Sequence, residues 1–147
     1  MASIFTRIMD GDIPGRLVWE DDLCVSMVDI RPLHEGHSLV IPRQEVDQWT
    51  DLSGPTAAHL MTVAHQIGRA QRQIFSCERI GLLIAGFEVP HTHLHVVPMD
   101  HMGHLDFRNA NGSVPAEELD RVADRLRRQL ADDGHGAAVV SIDSPST

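Results

Sequence analysis

Three histidines stand at alternate positions in the run His91-Thr92-His93-Leu94-His95-Val96-Val97-Pro98. In a β-strand, successive side chains point to opposite faces of the sheet. A strand here puts the three imidazoles on one face, roughly 6.6–7 Å apart at the usual rise per residue. Thr92, Leu94 and Val96 then fall on the other face, where they can pack on a core.

Imidazole titrates closest to neutral pH of the common side chains, so the row suits nucleophilic chemistry, acid–base chemistry or metal binding. The plainest reading is a strand whose histidines are simply packed or solvated. A second reading is metal ligation by two imidazoles two residues apart, completed by His101 or His104. Against it, a catalytic metal site usually adds a carboxylate or cysteine ligand, and none stands inside the run. The third reading is a histidine nucleophile supported by its neighbours.

Composition removes several classes. All 12 basic residues among the 147 are arginine. Without lysine the chain supports neither a Schiff-base enzyme nor a Walker-type phosphate loop. A net charge of −9 argues against broad nucleic-acid binding, which needs clustered basic residues. No window approaches the ~18 uninterrupted apolar residues of a membrane span, and no signal-peptide core opens the chain. The expected location is therefore the cytoplasm. Cys24 and Cys77 form no CxxC pair, so neither a disulfide framework nor a cysteine zinc site is indicated. The length suits one domain over about 1–134, small enough to welcome a partner subunit.

Along the chain, Arg16 to Glu20 and Leu23 to Asp29 read as a hairpin around the acidic turn Glu20-Asp21-Asp22. His37 to Pro42 reads as a further strand, closed by proline. Pro55 to Phe75 reads as a helix, with Ser53 or Asp51 as cap and proline in the first turn. Its expected apolar face is Ala57, Leu60, Met61, Ala64, Ile67, Ala70, Gln71 and Ile74. Arg79 to Ala85 reads as a buried strand, with Thr92 to Val97 as its partner. A second helix is expected over about 115–131, with Glu117 and Glu118 at its start and Arg125, Arg127 and Arg128 at its end, matching the helix dipole. Residues 135–147 are small and polar and are expected to be loose. Short antiparallel strands with two helices indicate an α+β fold.

The run resembles the signature of the histidine-triad (HIT) superfamily, His-x-His-x-His followed by two apolar residues. Further segments resemble that family's landmarks in order and spacing. They are Ile4-Phe5-Thr6-Arg7-Ile8, Gly11-Asp12-Ile13-Pro14, Trp19-Glu20-Asp21-Asp22, Val28-Asp29-Ile30-Arg31-Pro32 and Gly36 through Arg43. The likeness covers roughly residues 4–108. It implies a five-stranded antiparallel sheet with two helices, continued across a homodimer into one joined sheet. It also implies attack on the α-phosphorus of a purine nucleotide conjugate, with no cofactor required and no catalytic metal.

By match to the motif, His93 is implied as the nucleophile that forms a nucleotidyl-histidine intermediate. His95 and His37 are implied to contact phosphate oxygens, and His91 to orient its neighbours. Asp29 matches the ribose-binding position, while Phe5, Ile8, Met27 and Ile30 match the apolar base-binding cleft. His95 as third histidine resembles the hydrolytic members, since glutamine commonly occupies that place in the nucleotidyl-transfer branch. Two departures stand out. The approach to the triad, Ile84 to Pro90, is shorter than in the Hint branch, with Ala85 near an asparagine position and Glu88 where a hydroxyl would sit. Glu88 thus joins the substrate-contacting candidates, as a repulsive carboxylate or as a general acid if its pKa is raised. Thr6 stands where many bacterial relatives carry a zinc-binding cysteine. The implied activity is phosphoramidate or nucleotidyl hydrolysis; a nucleotide-binding regulatory module and a metal-dependent hydrolase using the histidine strand are the alternatives.

Overall fold

The computed structural model describes residues 1–140. Helix α1 (Ile4–Met9) leads into strands β1 (Leu17–Glu20), β2 (Cys24–Val28) and β3 (Ser38–Pro42). The long helix α2 (Gly54–Ile74) follows, then β4 (Arg79–Ile84), β5 (Leu94–Met99) and α3 (Ala116–Leu130). The five strands form one antiparallel sheet in the order β1-β2-β3-β5-β4. This is the expected α+β architecture.

Helix α1 is an addition to the expected elements. Ser3 caps it, its Oγ accepting from the Thr6 N–H, and this hydroxyl satisfies a donor the first turn leaves free. The sheet is consequently covered on both faces. Val18, Cys24, Val40, Leu94 and Val96 pack beneath α2 and α3, while Val25, Met27, Leu39 and Ile41 pack with Phe5 of α1. That is why β2, β3 and β5 are buried along their whole length rather than alternately.

In α2, Ser53 supplies the cap and Pro55 stands in the first turn, as expected. The buried stripe is Leu60, Val63, Ala64, Ile67, Gly68, Ala70 and Gln71, whereas Met61 is 53% exposed. Met61 follows Leu60 by about 100° around the helix, which turns it off the stripe that Val63 completes. Gly36 precedes β3 at φ +94°, and a Cβ there would lie 2.5 Å from Phe75 ring carbons. Glycine is therefore required at 36 for both conformation and space.

The strand carrying the histidines begins later than expected, at Leu94 rather than Thr92. The Thr92 N–H and Oγ1 both donate to Val46 O, each at 2.7 Å, so this residue bonds the loop after β3 instead of a neighbouring strand. The stretch expected to be loose is tied down at its beginning. His135 bonds Gln66, Glu20 N donates to Ala138 O, and Val139 bridges to Trp19. Residues 141–147 of that stretch lie outside the described residues. No helix among the described residues is long and apolar enough to cross a membrane.

Candidate active site

The four candidate histidines converge from three segments. His37 immediately precedes β3, His95 lies within β5 opposite Leu39, and His91 and His93 lie in the extended approach to β5. All four are buried, and His37 and His91 have no exposed surface at all. The single-face row holds for the last two rings, with centroids 4.9 Å apart. The His91 ring instead reaches across to β3, its Nε2 donating to Pro42 O.

Hydrogen-bond partners determine which nitrogen of each ring carries the proton. Leu33 N–H can only donate, so His37 Nδ1 accepts (3.0 Å) and the proton of the neutral ring sits on Nε2. That Nε2–H faces His95 Nδ1 at 3.0 Å. His95 Nδ1 is therefore an acceptor, and its own proton lies on Nε2, a buried atom with no partner among the described residues. Burial holds both rings neutral near pH 7. It pushes His37 down to about 3, with the His95 and His93 charges adding to the effect, and His95 down to about 4, with His93 adding.

His93 has the complementary arrangement. Its Nδ1 donates to the backbone carbonyl of His91 at 2.7 Å, which leaves the Nε2 lone pair free when the ring is neutral. His91 is fully engaged: Nε2 donates to Pro42 O (2.7 Å), so Nδ1 accepts from the Ser3 hydroxyl (2.6 Å). Burial lowers the His91 pKa. The Phe5 ring stands edge-on to both His91 and His93, with centroids 5.7 and 5.0 Å away, and Phe107 stands edge-on to His95 at 4.8 Å. One free lone pair and one unpaired N–H thus sit on adjacent rings. That pair can bind an anionic oxygen and attack the atom that bears it.

Asp29 contributes through both carboxylate oxygens. Oδ1 accepts from Arg31 N (2.8 Å), the turn role open to an aspartate before Ile30-Arg31-Pro32. Oδ2 lies 3.5 Å from His37 Nε2. With His37 neutral this is a charge–dipole contact rather than an ion pair. Burial raises the Asp29 pKa, and the negative charge of Glu88 raises it further. Glu88 itself is exposed on the loop before the triad.

The apolar candidates divide. Phe5 and Met27 are buried and Ile8 is half-buried in one cluster beneath α1. Ile30 stands apart from that cluster and is 63% exposed. The metal set His91 and His93 with His101 or His104 is not assembled. His101 and His104 stack on one another, and His104 groups with His34 and Asp100. A cavity of about 480 Å3 between the Pro32–Gly36 loop and α3 contains none of the four site histidines.

Three supporting residues escape a motif-based reading. Glu45 Oε1 accepts from both Ser3 N and Thr6 Oγ1, each at 2.6 Å, which holds the Ser3 hydroxyl beside His91. Those hydroxyls and that carboxylate are already bonded to one another, and with Thr6 in place of a cysteine they do not make a zinc-thiolate site. Gln71 Nε2 donates to Gly36 O and Val96 O, the carbonyls adjacent to His37 and His95. The signal for Ser3 was present in its capping position before Ile4-Phe5. Nothing local marks Glu45 or Gln71, whose partners lie 25 or more residues away.

The HIT domain family profile matches residues 10–102, well over half of the chain. The chain belongs to the HIT family. It is 31% identical over 139 residues to Protein hit of Bacillus subtilis, covering 87% of this chain and 94% of that one. It is 31% identical over 103 residues to adenosine 5'-monophosphoramidase hnt1 of Schizosaccharomyces pombe, covering 67% of this chain and 74% of that one. The solved zinc-bound histidine triad family protein of Mycobacterium smegmatis superposes with a TM-score of 0.77 at 31% identity. That alignment covers 92% of this chain and 98% of the other. Nucleotide-binding and hydrolase-like proteins characterise this family.

Proposed function

We propose that this HIT protein hydrolyses purine nucleoside phosphoramidates or related nucleotidyl conjugates at the α-phosphorus, through a covalent nucleotidyl-His93 intermediate and without a metal cofactor. The observation that carries the reading is the complementary protonation of His93 and His95, a free Nε2 lone pair beside an unpaired Nε2–H. In the first step the His93 lone pair forms a bond to phosphorus. The P–N bond to the leaving group breaks, and its electron pair departs on nitrogen, which takes up a proton from solvent. His95 Nε2–H bonds the phosphoryl oxygen on which charge builds, a task for which a fixed donor is suited. Water then attacks phosphorus and gives up a proton to solvent, the P–Nε2 bond breaks with its electron pair returning to His93, and the nucleotide leaves as its monophosphate. Splitting one hard displacement into two in this way is the benefit of a covalent nucleophile.

His37 fixes the His95 proton, and His91 fixes that of His93 through its carbonyl. Asp29 would accept from ribose hydroxyls, and the base would rest against Phe5, Ile8, Met27 and the exposed Ile30. The similarity to a monophosphoramidase supports this substrate class. A second reading, a nucleotide-binding module with little turnover, is favoured by Glu88, whose charge near Asp29 would repel a phosphate.

The test is incubation with adenosine 5'-phosphoramidate in the presence of a chelator. AMP is the expected product, and His93→Ala should abolish its formation while AMP binding persists. Binding without turnover or a trappable adduct supports the second reading, and chelator-sensitive turnover restored by zinc supports a metal enzyme.

The same reading pairs two copies through β4 and places them in the cytoplasm with their nucleotide substrates. The β1 edge is occupied by Ala138 and Val139, whereas β4 is the other edge and carries half-exposed Leu82 near Met61. Light scattering that returns a monomer at micromolar concentration would count against the dimer.

A further inference from the structure

We propose that His34, Asp100 and His104 form a zinc site separate from the histidine triad, one that clamps the loop before β3 to the turn after β5. One ligand atom of each residue lies within 4.8 Å of the others. They come from distant places: His34 from the loop that ends at His37, Asp100 directly after β5, and His104 from the turn Met102–Leu105.

Two of the three are already oriented as ligands. His34 Nδ1–H donates to Glu35 O at 3.0 Å, so the lone pair of the neutral ring lies on Nε2. That atom faces Asp100 Oδ2 at 3.3 Å. Asp100 Oδ1 accepts from Glu78 N (3.0 Å), which turns Oδ2 towards His34. A carbonyl behind an imidazole and a backbone N–H behind a carboxylate are the outer contacts that orient metal ligands.

A bare nitrogen and a carboxylate oxygen at this separation repel unless a positive species lies between them, either a proton or a metal ion. His104 supplies the third donor. Its Nδ1 accepts from Asp100 N (3.0 Å), and its ring stands edge-on to His34, with centroids 4.9 Å apart. Coordination through Nδ1 replaces that bond, and water can take over the N–H because Asp100 is exposed. Two imidazoles, one carboxylate and a position open to water make a donor set that zinc accepts.

The other two groups of similar composition lack this property. Asp21 already accepts from Trp19, Leu23 and Cys24 and bonds His59, and burial pushes the Cys24 thiol up, so it stays protonated. In the Asp29, His37 and His95 group, both nitrogens of His37 and His95 Nδ1 are engaged by buried partners, which water cannot relieve as it can the exposed Asp100 N–H. The proposed ion touches none of the triad. It would join the loop of His37 to the segment leading to Phe107, whose ring packs on His95.

The experiment titrates metal-free full-length protein with zinc near neutral pH against a chromophoric competitor. The expected result is one zinc per chain at micromolar concentration and a raised Tm. Affinity should fall roughly tenfold or more in His34→Gln and in His104→Gln. It should be unchanged in His95→Gln and in Cys77→Ser, neither of which belongs to the cluster. Cobalt(II) substituted for zinc gives an absorption signature of nitrogen and oxygen ligation, read on wild type and His34→Gln alike. Undiminished zinc affinity in His34→Gln, loss of zinc in His95→Gln, or no binding at micromolar zinc would each overturn the proposal. The binding readout is independent of turnover, so a failed phosphoramidase assay leaves it intact.

Discussion

Lowering the pH from about 7 to about 4.5 should destabilise this protein through two histidines in particular. His37 and His95 stay neutral in the folded chain until about pH 3 and about pH 4, because burial excludes the charged ring. In the unfolded chain each takes up a proton near pH 6.5. Below that value the unfolded state binds more protons, so stability rises with pH across this window and is lost as pH falls. Each histidine withholds its proton over about two pH units at about 1.4 kcal/mol per unit, so the pair costs roughly 5 kcal/mol at about pH 4.5. That is comparable with the whole stability of a small domain, about 5–15 kcal/mol. Asp29 acts oppositely, since its raised pKa lets the folded state bind a proton first as pH falls, and this offsets part of the loss near pH 4.

Urea denaturation across this range yields stability against pH, whose slope counts the proton difference between unfolded and folded states. Between about pH 5 and 6 the wild-type slope should exceed that of a His37→Gln/His95→Gln chain by nearly two protons, and that of His95→Gln alone by nearly one. The other eight histidines are common to both chains and cancel. Identical slopes in wild type and variants would refute the assignment of neutral, buried rings.

Three further substitutions probe the supports. Ser3→Ala removes the donor to His91 Nδ1 and the α1 cap, and should cost about 1–3 kcal/mol while lowering kcat. Nitrogen chemical shifts of His91 should report the lost bond, and Ser3→Thr should restore it. Gln71→Leu leaves Gly36 O and Val96 O without their side-chain donor. It should cost roughly 1–3 kcal/mol by urea midpoint and shift the His37 ring signals, whereas a change in stability without a ring shift would deny it a positioning role. Gly36→Ala should lower Tm markedly, since both the positive φ and the Phe75 ring oppose a side chain, and an unchanged Tm would contradict that geometry.

Much of the architecture was legible because it rests on local patterns. Ser53 and Pro55 mark the start of α2, a short apolar run closed by Pro42 marks β3, and the charge gradient from Glu117 to Arg128 marks α3. Helix α1 was less so, because six residues carry too little periodicity to stand out. Met61 misled because its type suits a core, while its angle around α2 is decided by which face meets the sheet. Thr92 misled because its backbone partner is Val46 rather than the adjoining strand.

Residue chemistry and order along the chain are properties of the sequence, and they suffice to indicate family membership and to single out the four histidines as candidates for the chemical centre. Which nitrogen of each histidine bears a proton is decided elsewhere. It depends on Leu33 N–H, His91 O, Pro42 O and the Ser3 hydroxyl, groups brought together by the closing of loops around the sheet. Alternation in the sequence places imidazoles side by side. Only the tertiary structure makes one a lone-pair donor and its neighbour a proton donor, because a tautomer is selected by its hydrogen-bond partners. The grouping of His34 with Asp100 and His104 has the same origin, for their proximity exists only once β3 and β5 have paired.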